Sequence, residues 1–360
     1  MSRNKDILVA LSGGIDSAAA ILFLREAGYR PRALFLDMLG SVRARERAAE
    51  TAEALGVELI VESCTDLFRR EIIGQVLAEH AAGRTPSPCA RCNPRIKWRL
   101  LAETADRLGI FHIATGHYVR TVRHENGHSY FRRGADPTKD QSYYLWDVPE
   151  TWVRRAVLPL GDHTKAEVRN RLKNQYGLTE LSERRESMGL CFLHGCSYEG
   201  FLRSHLPENT LRPGEVVDLQ GTVIGRHEGC ALYTAGQKRG FSLSDPTLYG
   251  QAAVIAVEAK RNRIVAGPDE ALYRREMILK DWRAVCREEF FGRADDLRIR
   301  VRGIGRNPDG GCRLTAIEDG RLHVLLLQND AWALMPGQPV VFYLDDRVVG
   351  GGMLDEVPQV

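Results

Sequence analysis

Residues 8–18 of this chain read LVALSGGIDSA, and this stretch decides the fold. An apolar run that predicts a buried strand breaks at Ser12-Gly13-Gly14, and a helical pattern begins at Ile15. Paired glycines allow a sharp turn that directs successive N–H groups at an anion. The positive end of the following helix favours a phosphate at the same place. No GK[ST] sequence follows, so the loop is not of the Walker type; the alternative is an ordinary strand–turn–helix.

Asp16 lies inside this predicted phosphate loop, where a carboxylate alone would repel the ligand. A Mg²⁺ ion that bridges the carboxylate and a polyphosphate removes the conflict. The hydroxyls of Ser12 and Ser17 supply further contacts. The loop therefore predicts a bound polyphosphate, with Mg²⁺ at Asp16.

The composition is that of an ordinary globular protein of two or three domains, with 360 residues, 44% hydrophobic and 27% charged. No apolar run approaches the roughly 20 residues of a membrane span. The N-terminus leads directly into the first strand, which leaves no room for a signal peptide. We therefore expect a cytoplasmic protein without a membrane partner, whose eight cysteines are reduced. The net charge of +3 does not by itself indicate a nucleic-acid partner.

From residue 7 to residue 120, short apolar runs alternate with helical patterns. The runs ILVAL, ALFLDM, ELIVES and FHIATG are typical of buried parallel strands. Helical spacing occupies residues 17–28, 43–55, 68–79 and 102–108. This βαβ series predicts an α/β fold with a doubly wound parallel sheet, whose ligands bind at the carboxyl ends of the strands. The backbone of Leu36, at the end of the second strand, is the expected adenine contact.

The segment 83–98, GRTPSPCARCNPRIKW, carries a pair of cysteines three residues apart. We expect Pro94 in the first turn of a helix, and Cys89 and Cys92 just before that helix, where its positive end stabilises thiolates. Half of a zinc site is the alternative, but a second CxxC within about 15–20 residues is absent. The pattern favours reactive thiols.

Three further polar features follow. Residues 114–120, ATGHYVR, place Gly116 where a ligand comes close and His117 where it meets phosphate or substrate. Lys139-Asp140-Gln141 caps a helix or offers a lysine to phosphate. Asp162 or Thr164 is an N-cap signal for a helical region over 160–205. Cys191 has apolar neighbours, so on its own it is expected to be a small buried hydrophobic residue.

From residue 208 the pattern changes to short strands separated by glycine-containing turns. A small β-rich module extends to residue 270 and contains the basic turn Lys238-Arg239. From 275 to the end, five or six strands with turn signals and no helix predict a β-barrel or sandwich. Its arginines at 298, 300, 302 and 306 form either a basic face or the solvated side of a strand.

Taken together, these strings resemble the tRNA-specific 2-thiouridylases of the PP-loop ATP pyrophosphatase superfamily along nearly the whole chain. The matching strings, in order, are SGGIDSAAA, GRTPSPCARCNPRIKW, ATGHYVR, KDQSYYLW, LPLGDHTKAEVR, MGLCFL, GCALYTAGQKRG and MPGQPVVFYLDDRVVGGG. The resemblance implies a PP-loop (adenine nucleotide alpha hydrolase) domain over 1–206, a central β-rich domain over 207–272 and a C-terminal β-barrel over 273–360.

The resemblance also implies a reaction. The family replaces the C2 oxygen of the wobble uridine of tRNA by sulfur, after ATP has adenylated that oxygen. By resemblance Cys92 is the nucleophile and Cys191 carries the sulfur as a persulfide, and a Cys92–Cys191 disulfide forms as sulfur leaves. A persulfide donor, such as a cysteine desulfurase or a sulfur-relay protein, is the implied partner beside the tRNA anticodon loop.

The implied site residues form two larger sets. ATP binding falls on Ala10, Leu11, Ser12, Gly13, Gly14, Ile15, Asp16, Ser17, Leu36 and Gly116. Contact with tRNA falls on Ser87, Pro88, His117, Lys139, Asp140, Gln141, Lys238, Arg239, Arg300 and Gln338.

The chain departs from the family at several positions. Many members carry aspartate, a proposed acid or base, where this chain has Cys89, so Cys89, Cys92 and Cys191 are also candidate ligands of a [4Fe–4S] cluster that binds sulfide. The segment after the second strand is short, and Arg300-Val301 replaces an Arg-Tyr pair, which suggests a divergent paralogue. The rival functions are an ATP-dependent tRNA ligase or amidating enzyme of the same superfamily, and a non-catalytic RNA- or metal-binding module.

Overall fold

The computed structural model describes residues 5–184, 189–193, 195–302 and 306–358. The strands in chain order are β1 (Asp6–Ala10), β2 (Arg30–Asp37), β3 (Leu59–Ser63), β4 (His112–Ala114), β5 (Val119–Arg123), β6 (Ser129–Arg133), β7 (Ala156–Val157), β8 (Gly214–Val217), β9 (Val223–His227), β10 (Ser242–Leu243), β11 (Ala253–Glu258), β12 (Arg263–Gly267), β13 (Tyr273–Arg274), β14 (Glu276–Ala284), β15 (Arg298–Arg300), β16 (Cys312–Ala316), β17 (Leu322–Leu326), β18 (Ala331–Trp332), β19 (Pro339–Leu344) and β20 (Arg347–Glu356).

The α-helices are α1 (Ile15–Glu26), α2 (Val42–Ala54), α3 (Thr65–Phe68), α4 (Gly74–Ala81), α5 (Pro88–Cys92), α6 (Trp98–Arg107), α7 (Glu150–Val153), α8 (Lys165–Asn174), α9 (Thr179–Glu183), α10 (Tyr198–His205) and α11 (Arg287–Gly292). Two π-helical turns, Arg69–Ile73 and Asn93–Lys97, connect α3 to α4 and α5 to α6. Among the described residues, no helix has the length and apolar character that crossing a membrane requires.

The chain divides into two compact units. The first comprises residues 1–72, 89–190 and 346–349, and the second comprises residues 73–88, 191–345 and 350–360. In the first unit, β3-β2-β1-β4-β7 form a parallel sheet in that order. The parallel α/β sheet predicted from the alternating pattern is therefore confirmed, with each of its four predicted strands present.

Apolar and small side chains on β1 and α1 explain why the sheet begins here. Ile7 and Val9 of β1 and the three alanines at 18–20 of α1 are fully buried in one core cluster. Because the alanines have almost no side chain, α1 packs closely on the sheet. A separate hairpin of β5 and β6 places Arg132 in register with Arg347 at the start of β20.

The helix ends are set by local chemistry. Thr164 caps α8: its hydroxyl accepts from the Glu167 N–H, and the Glu167 carboxylate accepts from the Thr164 N–H. This capping box confirms Thr164 of the two predicted N-caps. The helix predicted over 68–79 instead consists of α3, a π turn and α4, and the predicted helical region 160–205 contains α8, α9, a short 3-10 turn and α10. A π turn separates the first two pieces, and Gly177, with a φ of +68°, lies between α8 and α9.

In the second unit, the predicted central β module is present as a sheet with the order β10-β9-β8-β12-β11. The C-terminal strands form a sheet that runs β15-β19-β20-β14-β17-β16. The expectation of no helix in this part is wrong, because α11 lies between β14 and β15. Its Phe290 is fully buried and meets the Phe342 ring edge-on at 5.1 Å. A six-residue helix is too short to show helical periodicity in the sequence.

Candidate functional site

The loop between β1 and α1 is built for close approach of backbone groups. Gly13 has a φ of +74°, and a Cβ there would lie 3.0 Å from the Arg47 carbonyl and the Ala48 nitrogen. Gly14 is the N-cap of α1 and no side chain caps that end. The helix N-terminus therefore keeps backbone N–H groups for an anion, as the sequence predicts for a phosphate loop.

The two serines of the loop hold each other. The Ser12 N–H donates to Ser17 Oγ at 3.2 Å, and the Ser17 hydroxyl donates to the Gly14 carbonyl at 3.0 Å. The two hydroxyl oxygens lie 3.3 Å apart. These bonds fix the shape of the loop before a ligand arrives, which lowers the entropy cost of binding.

Asp16 is paired with a lysine in the structure. Lys165 Nζ lies 2.6 Å from Asp16 Oδ1, and the Tyr118 hydroxyl donates to the same oxygen at 2.7 Å. The Lys165 side chain is only 10% exposed, whereas that of Asp16 is 37% exposed. This pair places a nearly buried ammonium beside the loop that the sequence predicts to bind phosphate.

Lys165 is a residue that the sequence reasoning missed. It is the first residue of α8, so the capping box of Thr164 and Glu167 fixes its backbone. Its N–H donates to Asp136 Oδ2 at 3.2 Å, which fixes it further. The TKAE string carried the cap signal, but only the fold shows that this helix start lies beside the loop. Arg184 was missed as well: its Nη1 donates to the Gly13 carbonyl at 3.1 Å.

Gly116 makes a close backbone contact that the sequence did not predict. A Cβ there would lie 2.8 Å from the carbonyl carbon of Asp16 and 2.9 Å from the Ser17 nitrogen. The close approach that requires a glycine is therefore made by the backbone at the start of α1. Real Cβ atoms do not come so near to backbone, so a side chain at this position would displace the loop.

The remaining predicted ATP contacts lie around this loop. Ala10 ends β1, and Leu11 and Ile15 are buried in the core of the first unit. Leu36 is buried near the end of β2, and the next residue, Asp37, accepts from Arg45 Nη2 at 2.7 Å.

Cys89 and Cys92 lie inside a helix rather than before one. Pro88, not Pro94, opens this helix, because α5 begins at Pro88 and Pro94 falls in the π turn. A π turn leaves a backbone acceptor without its regular partner, so it tolerates a residue that lacks an N–H. Cys92 is buried and Cys89 is half-buried. Burial raises the pKa of the Cys89 thiol, against the opposing effect of the Lys97 ammonium, so the expected thiolate is wrong for Cys89.

The segment Ser142–Leu145 packs against this cysteine helix. Asn93 Nδ2 donates to the Tyr144 carbonyl at 3.1 Å, while Asn93 Oδ1 is buried without a hydrogen-bond partner among the described residues. Burial and the nearby Cys89 raise the pKa of the Tyr144 phenol. The thiol pair therefore lies beside an aromatic hydroxyl that stays protonated at neutral pH.

His117 lies in the loop between β4 and β5 and is a neutral imidazole. Its Nδ1 is 2.7 Å from Thr115 Oγ1, and its ring stacks on Trp98 with centroids 6.2 Å apart. Burial, helped by the Lys97 ammonium, lowers the pKa of His117 to about 3. A contact with phosphate through a charged imidazole is therefore not available, and His117 acts as a neutral hydrogen-bonding ring.

The residues 139–141 hold local structure. Asp140 forms an ion pair with Arg133 at 3.1 Å and accepts from the Ser142 N–H at 3.1 Å. Gln141 Oε1 accepts from the Tyr118 N–H at 3.1 Å, so it supports the tyrosine that binds Asp16. Lys139 is half-buried, and its backbone N–H donates to the Asp136 carbonyl.

In the second unit, Cys191 is exposed, so the expectation of a small buried hydrophobe is wrong. It begins the 3-10 turn Cys191–Leu193, in which Phe192 is buried instead and packs on Phe201 at 4.8 Å. The short turn directs its one aromatic ring inward and leaves the cysteine outside. Cys196 is also exposed.

Several cationic side chains of the second unit meet aromatic rings. Arg300 lies over the Tyr343 ring at 5.5 Å, and Arg302 and Arg306 lie over the Trp332 ring at 5.0 and 5.6 Å. The other predicted tRNA contacts of this unit differ in exposure: Lys238 and Arg239 are exposed, Ser87 and Gln338 are half-buried and Pro88 is buried.

In the described ranges, no three or more His, Cys, Asp or Glu side chains lie together in an arrangement that fits a metal ion. The iron–sulfur hypothesis therefore gains no support from a preformed group of ligands in these ranges.

Comparison with known proteins adds family information. A tRNA methyl transferase HUP domain model matches residues 5–195, a tRNA methyl transferase PRC-barrel domain model matches 199–268, and an aminomethyltransferase beta-barrel domain model matches 274–354. The chain is 36% identical over 354 residues to "tRNA-specific 2-thiouridylase MnmA 2" of Phocaeicola vulgatus, covering 98% of each chain. It is 38% identical to "tRNA-specific 2-thiouridylase MnmA 3" of Bacteroides fragilis, covering 97% of this chain and 94% of the relative. It is 35% identical to "tRNA-specific 2-thiouridylase MnmA" of Moorella thermoacetica, covering 98% of this chain and all of the relative.

Proposed function

Because the chain belongs to the family of tRNA-specific 2-thiouridylases, we propose that it replaces the C2 oxygen of the wobble uridine of tRNA by sulfur. It is a tRNA-modifying transferase. The observation that carries the proposal is similarity over the full length to relatives of that name. A glycine turn at the N-terminus of α1 and the cysteines at 92 and 191 support it.

The first step is adenylation. ATP binds at the loop, where the N–H groups at the start of α1, the two serine hydroxyls and the Lys165 ammonium face its phosphates. The C2 oxygen of uridine attacks the α-phosphorus, the bond to the β-phosphate oxygen breaks, and pyrophosphate leaves. Mg²⁺, when bound with ATP, supplies charge neutralisation of the leaving pyrophosphate. Asp16 fits that ion, since a carboxylate oxygen is a ligand that Mg²⁺ prefers, and Tyr118 and Lys165 both contact the other oxygen, Oδ1.

The second step is sulfur transfer. Cys191 carries the sulfur as a persulfide, and the Cys92 thiolate attacks the Cys191 Sγ atom. A Cys92–Cys191 disulfide forms, the S–S bond of the persulfide breaks, and its electron pair leaves with hydrosulfide. Hydrosulfide then attacks C2, and AMP departs with the former C2 oxygen. The same disulfide results if the persulfide sulfur attacks C2 before Cys92 resolves it. A thiol reductant returns both cysteines to the reduced state.

The partners follow from this chemistry. The sulfur comes from a persulfide donor, such as a cysteine desulfurase or a sulfur-relay protein. The basic turn Lys238-Arg239 and the arginine at 300 contact the tRNA backbone. The proposed reaction needs both ATP and tRNA, so we propose a cytoplasmic location. Coordination of a [4Fe–4S] cluster by Cys89, Cys92 and Cys191 stays the alternative source of sulfide.

Cysteine variants test the proposal. We expect Cys92→Ser and Cys191→Ser to abolish 2-thiouridine in tRNA, measured by nucleoside mass spectrometry, while tRNA-dependent formation of pyrophosphate from ATP continues. Cys196→Ser, which changes another exposed cysteine of the same segment, is the matched control and should keep full activity. Full 2-thiouridine from either of the first two variants would refute the roles given to these cysteines, whereas a wild type that converts ATP with tRNA but makes no 2-thiouridine would favour the ligase alternative.

Two further measurements separate the remaining alternatives. If Asp16→Asn leaves function intact and no AMP forms with tRNA, a non-catalytic binding module is the better description. Iron and sulfide analysis after anaerobic purification tests the cluster. A colourless, iron-free protein that still thiolates tRNA excludes the cluster route.

A further inference from the structure

One continuous helical segment carries the thiol pair and a lysine that the reaction above does not use. Residues 88–107 form α5, a π turn and α6 without a gap. The π turn spans Asn93–Lys97, so Lys97 is its last residue. Such turns inside helices are frequent at functional sites.

The π turn changes which residues share a face. A π turn contains one residue more than an α-helical turn. Lys97 is the eighth residue after Cys89 in the sequence, but around the helix axis it has the direction of the seventh. At about 100° per residue, seven residues bring Lys97 to within about 20° of Cys89 around the axis, whereas eight would leave it about 80° away. Cys92, three residues after Cys89, lies about 60° away on the same side. Lys97 thereby becomes the equivalent of an i+4 neighbour of Cys92.

The direction and environment of the side chain agree with this alignment. Helical side chains lean toward the N-terminus, so the lysine at the end of the π turn leans toward the two cysteines. Lys97 is half-buried, whereas Arg95 of the same turn is exposed. The ammonium of Lys97 opposes the effect of burial on the pKa of Cys89, and it adds to the effect of burial that lowers the pKa of His117. Lys97 thus supplies positive charge to the helix face that carries the two cysteines.

We propose that Lys97 is a positioning residue for sulfur transfer, placed on the cysteine face by the π turn to stabilise anionic sulfur at Cys92. This inference rests on the function proposed above. Negative charge sits first on the Cys92 sulfur and then, when the Cys92–Cys191 bond forms and the persulfide S–S bond breaks, on the departing hydrosulfide. An ammonium beside this face favours both anions. Adenylation takes place at a different group of residues and does not need Lys97.

Alkylation with two probes of different charge measures the proposed field directly. Iodoacetate is an anion and iodoacetamide is neutral, so their rate ratio at a cysteine reports the local charge and not the accessibility. Trypsin cleaves after Arg91 and separates Cys89 from Cys92, so mass spectrometry gives the ratio at each. A unit charge at about 4 Å in water is worth about 1 kcal/mol, or about fivefold in rate. We expect Lys97→Met to lower the ratio at both cysteines about fivefold.

Matched variants complete the test. Arg95→Met removes a cation from the exposed side of the same turn and should leave both ratios unchanged. Lys97→Arg keeps the charge and should restore most of the ratio. In single-turnover assays with tRNA, Lys97→Met should slow appearance of 2-thiouridine about fivefold or more, with pyrophosphate release unchanged.

The outcomes are distinguishable. An unchanged ratio in Lys97→Met, in a protein whose thermal unfolding matches that of the wild type, overturns the placement of the charge. A lowered ratio with an unchanged rate of sulfur transfer overturns the role. A lowered ratio in a protein whose wild type makes no 2-thiouridine refutes the proposed function and leaves the charge placement standing.

Discussion

Lys165 Nζ lies 2.6 Å from Asp16 Oδ1, so the carboxylate in the phosphate loop already has a cationic partner. The lysine side chain is nearly buried and the aspartate is about one third exposed. In the proposed reaction, Mg²⁺ would meet the carboxylate and the ATP phosphates would meet the ammonium. The pair therefore holds, next to the loop, the two charges that this proposal requires.

The first prediction concerns this pair. Lys165→Met leaves the Asp16 carboxylate uncompensated and removes a cation from the phosphate site. We expect tRNA-dependent pyrophosphate release to fall by about 10² or more, as for loss of one preorganised electrostatic contact. Lys173→Met, on the same helix, is the control, because the exposed Lys173–Glu183 pair contributes little. Equal activities of the two variants would show that Lys165 only supports the fold.

The second prediction concerns Gly116. Gly116→Ala places a Cβ 2.8 Å from the backbone of Asp16, so the start of α1 must move. We expect a loss of about 1–3 kcal/mol in the free energy of unfolding and weaker ATP binding, measured by chemical denaturation and calorimetry. Gly292→Ala, where a Cβ meets open space, should change neither quantity. Wild-type ATP affinity in Gly116→Ala would contradict the close approach.

The third prediction is a pH dependence of stability. His117 is neutral in the folded protein because burial lowers its pKa from 6.5 to about 3. The unfolded chain therefore binds the proton more readily, so this stability is present above about pH 6.5 and is lost as the pH falls toward 3. At pH 5 the loss amounts to about 2 kcal/mol. Denaturation of His117→Gln should show a smaller difference between pH 7.5 and pH 5 than that of the wild type.

Two controls accompany this measurement. His205→Gln, at an exposed histidine, should retain the wild-type difference. The NMR signal of the His117 ring should stay at its neutral position from pH 8 to pH 5. A ring that titrates near pH 6.5 would refute the neutral state.

The fourth prediction concerns the basic turn. Lys238 pairs with Asp269 at 3.2 Å and Arg239 is exposed. If both contact phosphates, Lys238→Ala with Arg239→Ala should weaken tRNA binding and reduce the slope of log affinity against log salt by about 2. Lys260→Ala with Arg261→Ala, at another turn of the same unit, should leave the slope unchanged. Filter binding at several salt concentrations measures it, and equal slopes in both double variants would remove the turn from the interface.

The sequence predicted most of the parallel sheet and the loop. Alternation of apolar runs and helical spacing is a local signal, and each of the strands it indicated between residues 7 and 116 is present. The turn at the loop glycines could be predicted, because the positive φ at Gly13 is one that other residues avoid. The capping box at Thr164 could also be predicted from the sequence, because both of its partners lie within four residues of each other.

By itself, then, the sequence determined the strands of the parallel sheet, the glycine turn before α1 and the positions of the cysteine pair. Only the tertiary structure decided which distant residues meet them: Lys165 reaches Asp16 across 149 positions, and Gly116 packs on the start of α1. Only the folded chain decided that burial keeps Cys89 a thiol and His117 neutral, because a pKa depends on the whole surroundings of a group. The π turn on which the proposal for Lys97 rests also came only from the tertiary structure. Predictions from residue spacing assume a regular helix, and a π turn deviates from it.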